Sequence, residues 1–288
     1  MGNFRRNNED WILLRDLDQP AWQPPAEGGA TTASSGPHGF FGAVCDGLGG
    51  GAFGEVASRA SAETAADALL AACQEEGASL DAAATLRDAV TAAHRRIHRM
   101  MVENPAYDGM GTTFSGLWFR PGGVHLVHVG DSRIYRWRGR GLERMTTDQS
   151  PVGEMLARGR LTAEDARRHP MRNYVNQVIG GAHERVQPEQ RSLPRVPGTL
   201  WLLCSDGLTD ALGDDELGYA LAAMAHLPPD RIAARLLHQA LSRAGRDNIS
   251  LLLVREGEPS LRTRLEGAAR GRFRTLRQRF SRTPSSLR

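Results

Sequence analysis

The pattern of apolar and polar positions divides this chain into short strand-like runs and longer helical stretches. Gly39–Cys45 (GFFGAVC) is an apolar run of strand length that ends in Asp46 and a glycine-rich turn. Phe53 to Cys73 is alanine-rich with helical spacing, and Leu80 to Met101 predicts a second helix. Three strand-like runs follow at Thr112–Phe119, Val124–Val129 and Arg133–Arg138. Gly and Pro separate the first pair and Gly130-Asp131-Ser132 the second, as hairpin turns would. Residues 146–183 are polar and irregular, with at most one short helix near Thr162–Arg168. Thr199–Cys204 (TLWLLC) predicts another strand, ending in Ser205-Asp206-Gly207. A helix is expected from about Asp214 to Arg243, broken at Pro228-Pro229, and a last strand at Ile249–Val254. Residues 19–38, rich in Pro, Gly, Ser and Thr, predict a loop. Strands and helices come in blocks without strict β–α alternation, which favours an α+β fold over a doubly wound parallel sheet.

Composition sharpens this picture in two places. At 288 residues with 40% hydrophobic and 24% charged positions, the chain can bury a sizeable core. No run approaches the ~20 apolar residues of a membrane span, and the N-terminus MGNFRRNNED is charged where a signal peptide is apolar. The expectation is a soluble, cytoplasmic protein. The net charge of +3 is unevenly spread. All 36 basic residues are arginine, and residues 260–288 hold nine of them against one acid, Glu266, leaving about −5 for residues 1–259. A mildly acidic body argues against nucleic-acid binding. Three cysteines form no CxxC, and Cys45 and Cys204 lie in apolar runs where cysteine acts as a small hydrophobe.

The candidate chemistry is carried by aspartates. Asp46, Asp131, Asp206 and Asp247 each abut a strong strand-like run, two of them as Asp-Gly. Asp-Gly alone is a common turn dipeptide, and any single instance reads as a turn. Four such sites at strand ends suggest convergence. Two carboxylates ~4 Å apart repel by about 4 kcal/mol at an effective dielectric near 20, so such a cluster needs protons or cations. Hard oxygen donors without Cys or His select Mg²⁺ or Mn²⁺ over zinc. Two such ions could bind a phosphate and activate a water for in-line attack. There is no GxSxG elbow and no cysteine in a reactive setting to supply another nucleophile.

The segments RRNNED (5–10), VCDGLGG (44–50), GMGTT (109–113), VGDSR (129–133), TTDQS (146–150), CSDGL (204–208) and GRDNIS (245–250) occur in this order. In that order they resemble the metal-dependent protein serine/threonine phosphatases, the protein phosphatase 2C-like family, with the bacterial branch most similar. The resemblance covers roughly residues 3–255. It implies a four-layer αββα sandwich, two antiparallel sheets face to face with helices outside, and a dinuclear metal centre at one edge. By match to the family motifs, Asp46 would bridge two Mn²⁺ or Mg²⁺ ions, Asp206 and Asp247 would complete one ion's ligands, and the Gly47 carbonyl would reach the other, with Glu9 acting through water. Asp131 would hold a third, looser metal. Asp10 would hydrogen-bond metal waters, and Arg5 would clamp the substrate phosphate, as a planar guanidinium can bidentately. Residues 151–181 would form a flap beside the site.

What the resemblance implies, then, is a catalytic domain over residues 1–258 and an arginine-rich tail over 259–288. The activity would be hydrolysis of phosphoserine or phosphothreonine on bacterial proteins by a metal-bridging hydroxide, reversing a cognate serine/threonine kinase, in a monomer. Two positions depart from the pattern: Leu48 follows Asp46-Gly47 where many eukaryotic members have histidine, and Gln149 stands where a histidine is usual. With four residues before Arg5, the first sheet is expected to have a short edge. The rival function is a non-catalytic phosphoprotein-binding module. A third makes the tail the main business, with the domain as a tethered regulator; with Leu261, Leu265, Phe273, Leu276 and Phe280 among its arginines, the tail reads by default as a solvated disordered segment, or else as a helix for an anionic membrane surface or a docking segment for a partner protein.

Other signals carry less. Gly49, Gly51 and Gly54 match GxGxxG, with Glu75 and Glu76 about twenty residues on, but the helix is followed by another helix and Asp46 would repel a pyrophosphate. His94 and His98, at i,i+4 on a predicted helix, lack the glutamate of HExxH and read as part of a solvated basic face. His125 and His128 fall on opposite faces of a strand and read as structural.

Overall fold

The computed structural model describes residues 7–19, 29, 36–48, 53–76, 80–139, 141–243 and 247–257. Arg5, most of the 19–38 loop, Gly49, Gly51 and the 259–288 tail lie outside the described residues. Among the described residues the chain runs β1 (Asp10–Asp16), β2 (Phe40–Leu48), α1 (Gly54–Glu76), α2 (Ala82–Glu103), β3 (Gly111–Thr112), β4 (Phe114–Arg120), β5 (Gly123–Val129), β6 (Arg133–Arg138), β7 (Gly141–Arg144), α3 (Pro151–Ala157), α4 (Ala163–Arg168), β8 (Ile179–Gly180), β9 (Glu189–Leu193), β10 (Leu200–Cys204), α5 (Asp206–Ala211), α6 (Asp214–Met224), α7 (Pro229–Ser242) and β11 (Leu251–Arg255). One antiparallel sheet has the order β8-β3-β2-β4-β5-β9, with β1 paired to β2; the other has the order β11-β10-β6-β7.

The alternation of side chains along the strands builds the layers. In β2, Phe41, Ala43 and Cys45 face α1 and α2, while Phe40 and Val44 face the second sheet. In β10, Leu200, Leu202 and Cys204 pack on α5, α6 and α7, while Trp201 and Leu203 join Val44, Leu117, Leu126 and Ile134 between the sheets. Three apolar clusters separate four layers, and the αββα sandwich is confirmed. Each Leu, Phe or Trp buried in them removes enough apolar area to stabilise the fold by about 2–3 kcal/mol. The α1 helix approaches α2 closely because it buries Ala57, Ala62, Ala65 and Ala66, and Asp81 caps α2 by accepting from the Ala83 and Ala84 amides at 3.0 and 3.2 Å.

Several local expectations need correction. The β1, β7 and β9 strands carry weak or charged patterns, and only pairing with β2, β6 and β5 orders them. Residues 146–183 hold two short helices, α3 capped by Ser150 and α4 capped by Thr162, where at most one was expected. Thr113 interrupts the expected Thr112–Phe119 strand, leaving β3 paired separately to the end of β2. His94 is not on a solvated face: it is 3% exposed, its Nδ1 accepts from the Gly180 amide at 3.2 Å, and burial lowers its pKa. His128 and His125 do serve structure, bonding Ser115 with the Gly130 carbonyl and Ser192 respectively. All three cysteines are buried and free. No helix among the described residues is long and apolar enough to cross a membrane.

Candidate metal centre

Strand register brings the candidate carboxylates to one edge of the sandwich. Asp10, first residue of β1, lies directly opposite Asp46 near the end of β2. In the second sheet, Cys204 pairs with Arg133 on one side and Leu251 on the other. The residues just beyond those pairs are therefore neighbours: Asp206 after β10, Asp131 before β6 and Asp247 before β11. Asp46, Asp131, Asp206 and Asp247 are each partly exposed at this edge, and Asp10 is buried.

Hydrogen bonds fix this edge in place. The Asp46 amide donates to Thr113 Oγ1 at 2.9 Å, and its carbonyl accepts from the Thr113 amide at 2.9 Å and the Thr112 hydroxyl at 2.8 Å. The Ser205 hydroxyl donates to Asp10 Oδ2 at 2.8 Å and accepts from the Ser250 amide at 3.0 Å, tying the first sheet to the turn between β10 and α5. Asn248 ties down the N-terminal segment: its Oδ1 accepts from the Glu9 amide and its Nδ2 donates to the Asn7 carbonyl, both at 3.0 Å. The Gly47 amide donates to the Glu9 carbonyl at 3.1 Å. Here glycine is required, because a Cβ on Gly47 would collide with the Gly54 carbonyl group and the Glu9 carbonyl oxygen. The Glu9 side chain lies against Gly54, beside Gly47.

The electrostatics are those of acids held together against their own repulsion. Withdrawal from water raises the pKa of Asp46 well above the usual carboxylate range, and the charges of Asp206, Asp10 and Asp131 add to it. Asp131 is raised in the same way by loss of water and by Asp206 and Asp148. Asp206 is raised by loss of water and by Asp210, Asp247 and Asp10, and it shares a side-chain hydrogen bond with Asp46. Asp10 is raised chiefly by burial, and its Oδ1 is buried without a hydrogen-bond partner.

The donor set suits a hard divalent cation. It is all oxygen, it gathers several negative charges, and it leaves a buried carboxylate oxygen unpartnered. Among the described residues no three His, Cys, Asp or Glu side chains stand close enough to form a ready cage. Of the predicted site residues, Glu9, Asp10, Asp46, Gly47, Asp131, Asp206 and Asp247 thus share this edge.

Four contributors escaped the sequence reading: Asp210, Ser205, Asn248 and Thr113. Asp210 lies one helical turn after Asp206 on α5, a spacing that could have flagged it. Its pKa is raised by burial and Asp247, against the lowering influence of Arg172, Arg133 and Arg167. The other three are short polar residues inside the matched segments GMGTT, CSDGL and GRDNIS, where nothing in the pattern assigned them a role.

This fold and edge define a class of protein, and comparison with known proteins agrees. Residues 30–242 match the family model described as protein phosphatase 2C, and the chain belongs to that family. It is 35% identical over 212 residues to the serine/threonine protein phosphatase PstP of Mycobacterium tuberculosis, covering 74% of this chain and 39% of PstP. The serine/threonine phosphatase stp of Listeria monocytogenes is 32% identical over 214 residues, covering 73% of this chain and 82% of stp. The chain thus spans about two fifths of the length of PstP and most of stp. Among solved structures, a bacterial serine phosphatase matches with a TM-score of 0.72 at 28% identity, covering 90% of this chain and 96% of that one. The catalytic domain of PstP in complex with two manganese ions matches at 0.67 and 29% identity, covering 89% and 95%.

Proposed function

We propose that this protein is a metal-dependent phosphatase that hydrolyses phosphoserine and phosphothreonine on bacterial proteins, opposing a serine/threonine kinase. The observation that carries the reading is the meeting of Asp10, Asp46, Asp131 and Asp206 at one edge of the sandwich, each made harder to ionise by loss of water and by its neighbours. The family membership and the manganese in the related PstP domain support it.

In this proposal Asp46, Asp206, Asp247, the Gly47 carbonyl and Glu9 hold two Mn²⁺ or Mg²⁺ ions, with Asp131 contributing to a third, weaker position. The bound ions would supply activation of a water as nucleophile and would offset charge on the phosphoryl oxygens. The Ser205 hydroxyl holds Asp10 by Oδ2, so Oδ1 is the acceptor available to orient a water beside Asp46. Arg5 would grip the phosphate through its guanidinium. The residue after Asp46-Gly47 is Leu48, which has no acidic proton to give, so the leaving alcohol would take its proton from a water or from another group.

The test is hydrolysis of a phosphothreonine peptide by the full chain, with Mn²⁺, with EDTA, and for Asp206→Asn. Turnover that needs Mn²⁺ and falls about 10³-fold in the variant is expected. Retained Mn²⁺ binding by calorimetry with no turnover under any condition would favour a phosphoprotein-binding module instead.

A further inference from the structure

Gln149 sits between the carboxylate edge and the 151–181 segment, and it spends each of its backbone and side-chain polar groups on joining them. Its amide donates to the Gly130 carbonyl at 2.8 Å, and its Oε1 accepts from the Gly130 amide at 2.9 Å. Its own carbonyl accepts from the Asn176 amide at 2.7 Å, and its Nε2 donates to the Gln187 carbonyl at 3.2 Å. The half-buried side chain thus grips two stretches, the turn before β6 and the approach to β9, while the backbone carbonyl of the same residue holds a third, the leg of the segment leading to β8.

What Gln149 grips at Gly130 matters, because Asp131 is the next residue. Gly130 has φ +105°, open to glycine, and a Cβ there would press on Thr113. Thr113 in turn accepts from the Asp46 amide and hydrogen-bonds Ser132 at 2.7 Å. The Gly130–Ser132 turn is therefore clamped on one side by Thr113, which also holds Asp46, and on the other by Gln149. On the far side of the clamp, the 151–181 segment reaches the same edge: the Arg167 guanidinium lies against Gly213, and Arg172 offsets the charge of Asp210.

We infer that Gln149 is a positioning residue that couples the 151–181 segment to the Asp131 turn, so that contacts made by a protein substrate with the segment reach the carboxylate edge. This rests on the phosphatase reading for its effect on substrate. The coupling itself does not.

Two variants of the full chain separate the groups. Gln149→Met keeps the length and the backbone bond to Asn176 but removes both side-chain bonds, so any change at Asn176 must be transmitted through residue 149; Gln149→Glu keeps the acceptor for the Gly130 amide and loses the donor to Gln187. Amide hydrogen exchange is measured without metal, and kcat and KM are measured with Mn²⁺ on a phosphothreonine peptide and on p-nitrophenyl phosphate. For Gln149→Met, exchange is expected to quicken about tenfold at both Gly130 and Asn176, with β10 unchanged. KM for the peptide should rise about fivefold with kcat little changed, while KM for the small ester, which lacks the peptide's flanking residues, stays within about twofold. Gln149→Glu should restore the Gly130 exchange rate and most of the peptide KM. Quickened exchange at Gly130 but not at Asn176, equal KM changes for both substrates, or failure of the glutamate to rescue would overturn the inference. If the unaltered chain turns over neither substrate, the phosphatase reading fails, and the exchange data alone decide the coupling.

Discussion

Asp148 and Asp46 are both aspartates drawn out of bulk water near the same turn, yet their surroundings treat them in opposite ways. Asp148 receives Arg133 through two parallel bonds, Nε to Oδ1 at 3.1 Å and Nη2 to Oδ2 at 2.7 Å, and it also accepts from Arg144 Nη2. Burial alone would raise its pKa, but the two guanidinium groups outweigh that and hold it below the usual carboxylate value. Arg133 reaches on to Asp214, which also accepts from the Tyr135 hydroxyl at 2.8 Å. Asp46 has acids for electrostatic neighbours, and burial and repulsion act together to raise it. The difference teaches which acid holds the fold and which is held ready for something else. A folded chain tolerates repelling carboxylates at one edge because arginine-paired networks such as Asp148 fasten the same strands.

The comparison breaks most visibly at Asp148. Replacing it with alanine leaves Arg133 and Arg144 partly buried without their shared acid, and a loss of about 3–5 kcal/mol in urea unfolding is expected. A loss below about 1 kcal/mol would show that the network contributes little.

Acid gives the next largest effect, through His128. Fully buried between Ser115 and the Gly130 carbonyl, it is neutral in the folded chain because burial pushes its pKa down to about 4, against 6.5 for a free imidazole. The unfolded chain therefore binds the proton first. Stability from this group is complete above about pH 6.5 and is lost as pH falls toward 4, by about 3 kcal/mol in all. Unfolding free energies at pH 7.5 and 5.0 should differ less in His128→Asn than in the unaltered chain. Asp148, with its lowered pKa, adds its own loss at more acid pH, so the two variants together separate the contributions.

The smallest effect has the opposite sign. Asp46→Asn removes one of the repelling charges while keeping shape and hydrogen bonding, and it should stabilise the metal-free chain by about 1 kcal/mol. The same variant should lose the stabilisation that excess Mn²⁺ gives the unaltered chain, about 2.7 kcal/mol at a hundredfold excess over Kd. A thermal melt in EDTA and in Mn²⁺ reads both. Destabilisation in EDTA would mean that Asp46 is an anchor like Asp148.

Much of the site was legible because its residues punctuate strong strands. Asp46, Asp131, Asp206 and Asp247 each follow or precede an apolar run, so sequence places each at a strand end. Asp210 was less visible, since its link to Asp206 needs the α5 helix to form. Ser205, Asn248 and Thr113 stand within the matched segments, but their roles were unreadable, because short polar residues in turns act only through partners that folding brings to them. The same holds for strands. β2 and β10 declared themselves by continuous apolar runs, whereas β9, Glu189–Leu193, became a strand only against β5.

The chain's own residue order determined the family, the αββα layers and the candidate acids, since apolar periodicity and motif order are written in one dimension. Tertiary structure decided which acids repel and which are paired. Asp148 and Asp46 are the same residue type 102 positions apart, and only the pairing of β6 with β7 and of β1 with β2 assigns arginines to one and carboxylates to the other. Charge interactions depend on distance through space and on exclusion of water, and neither quantity exists until the two sheets close on each other.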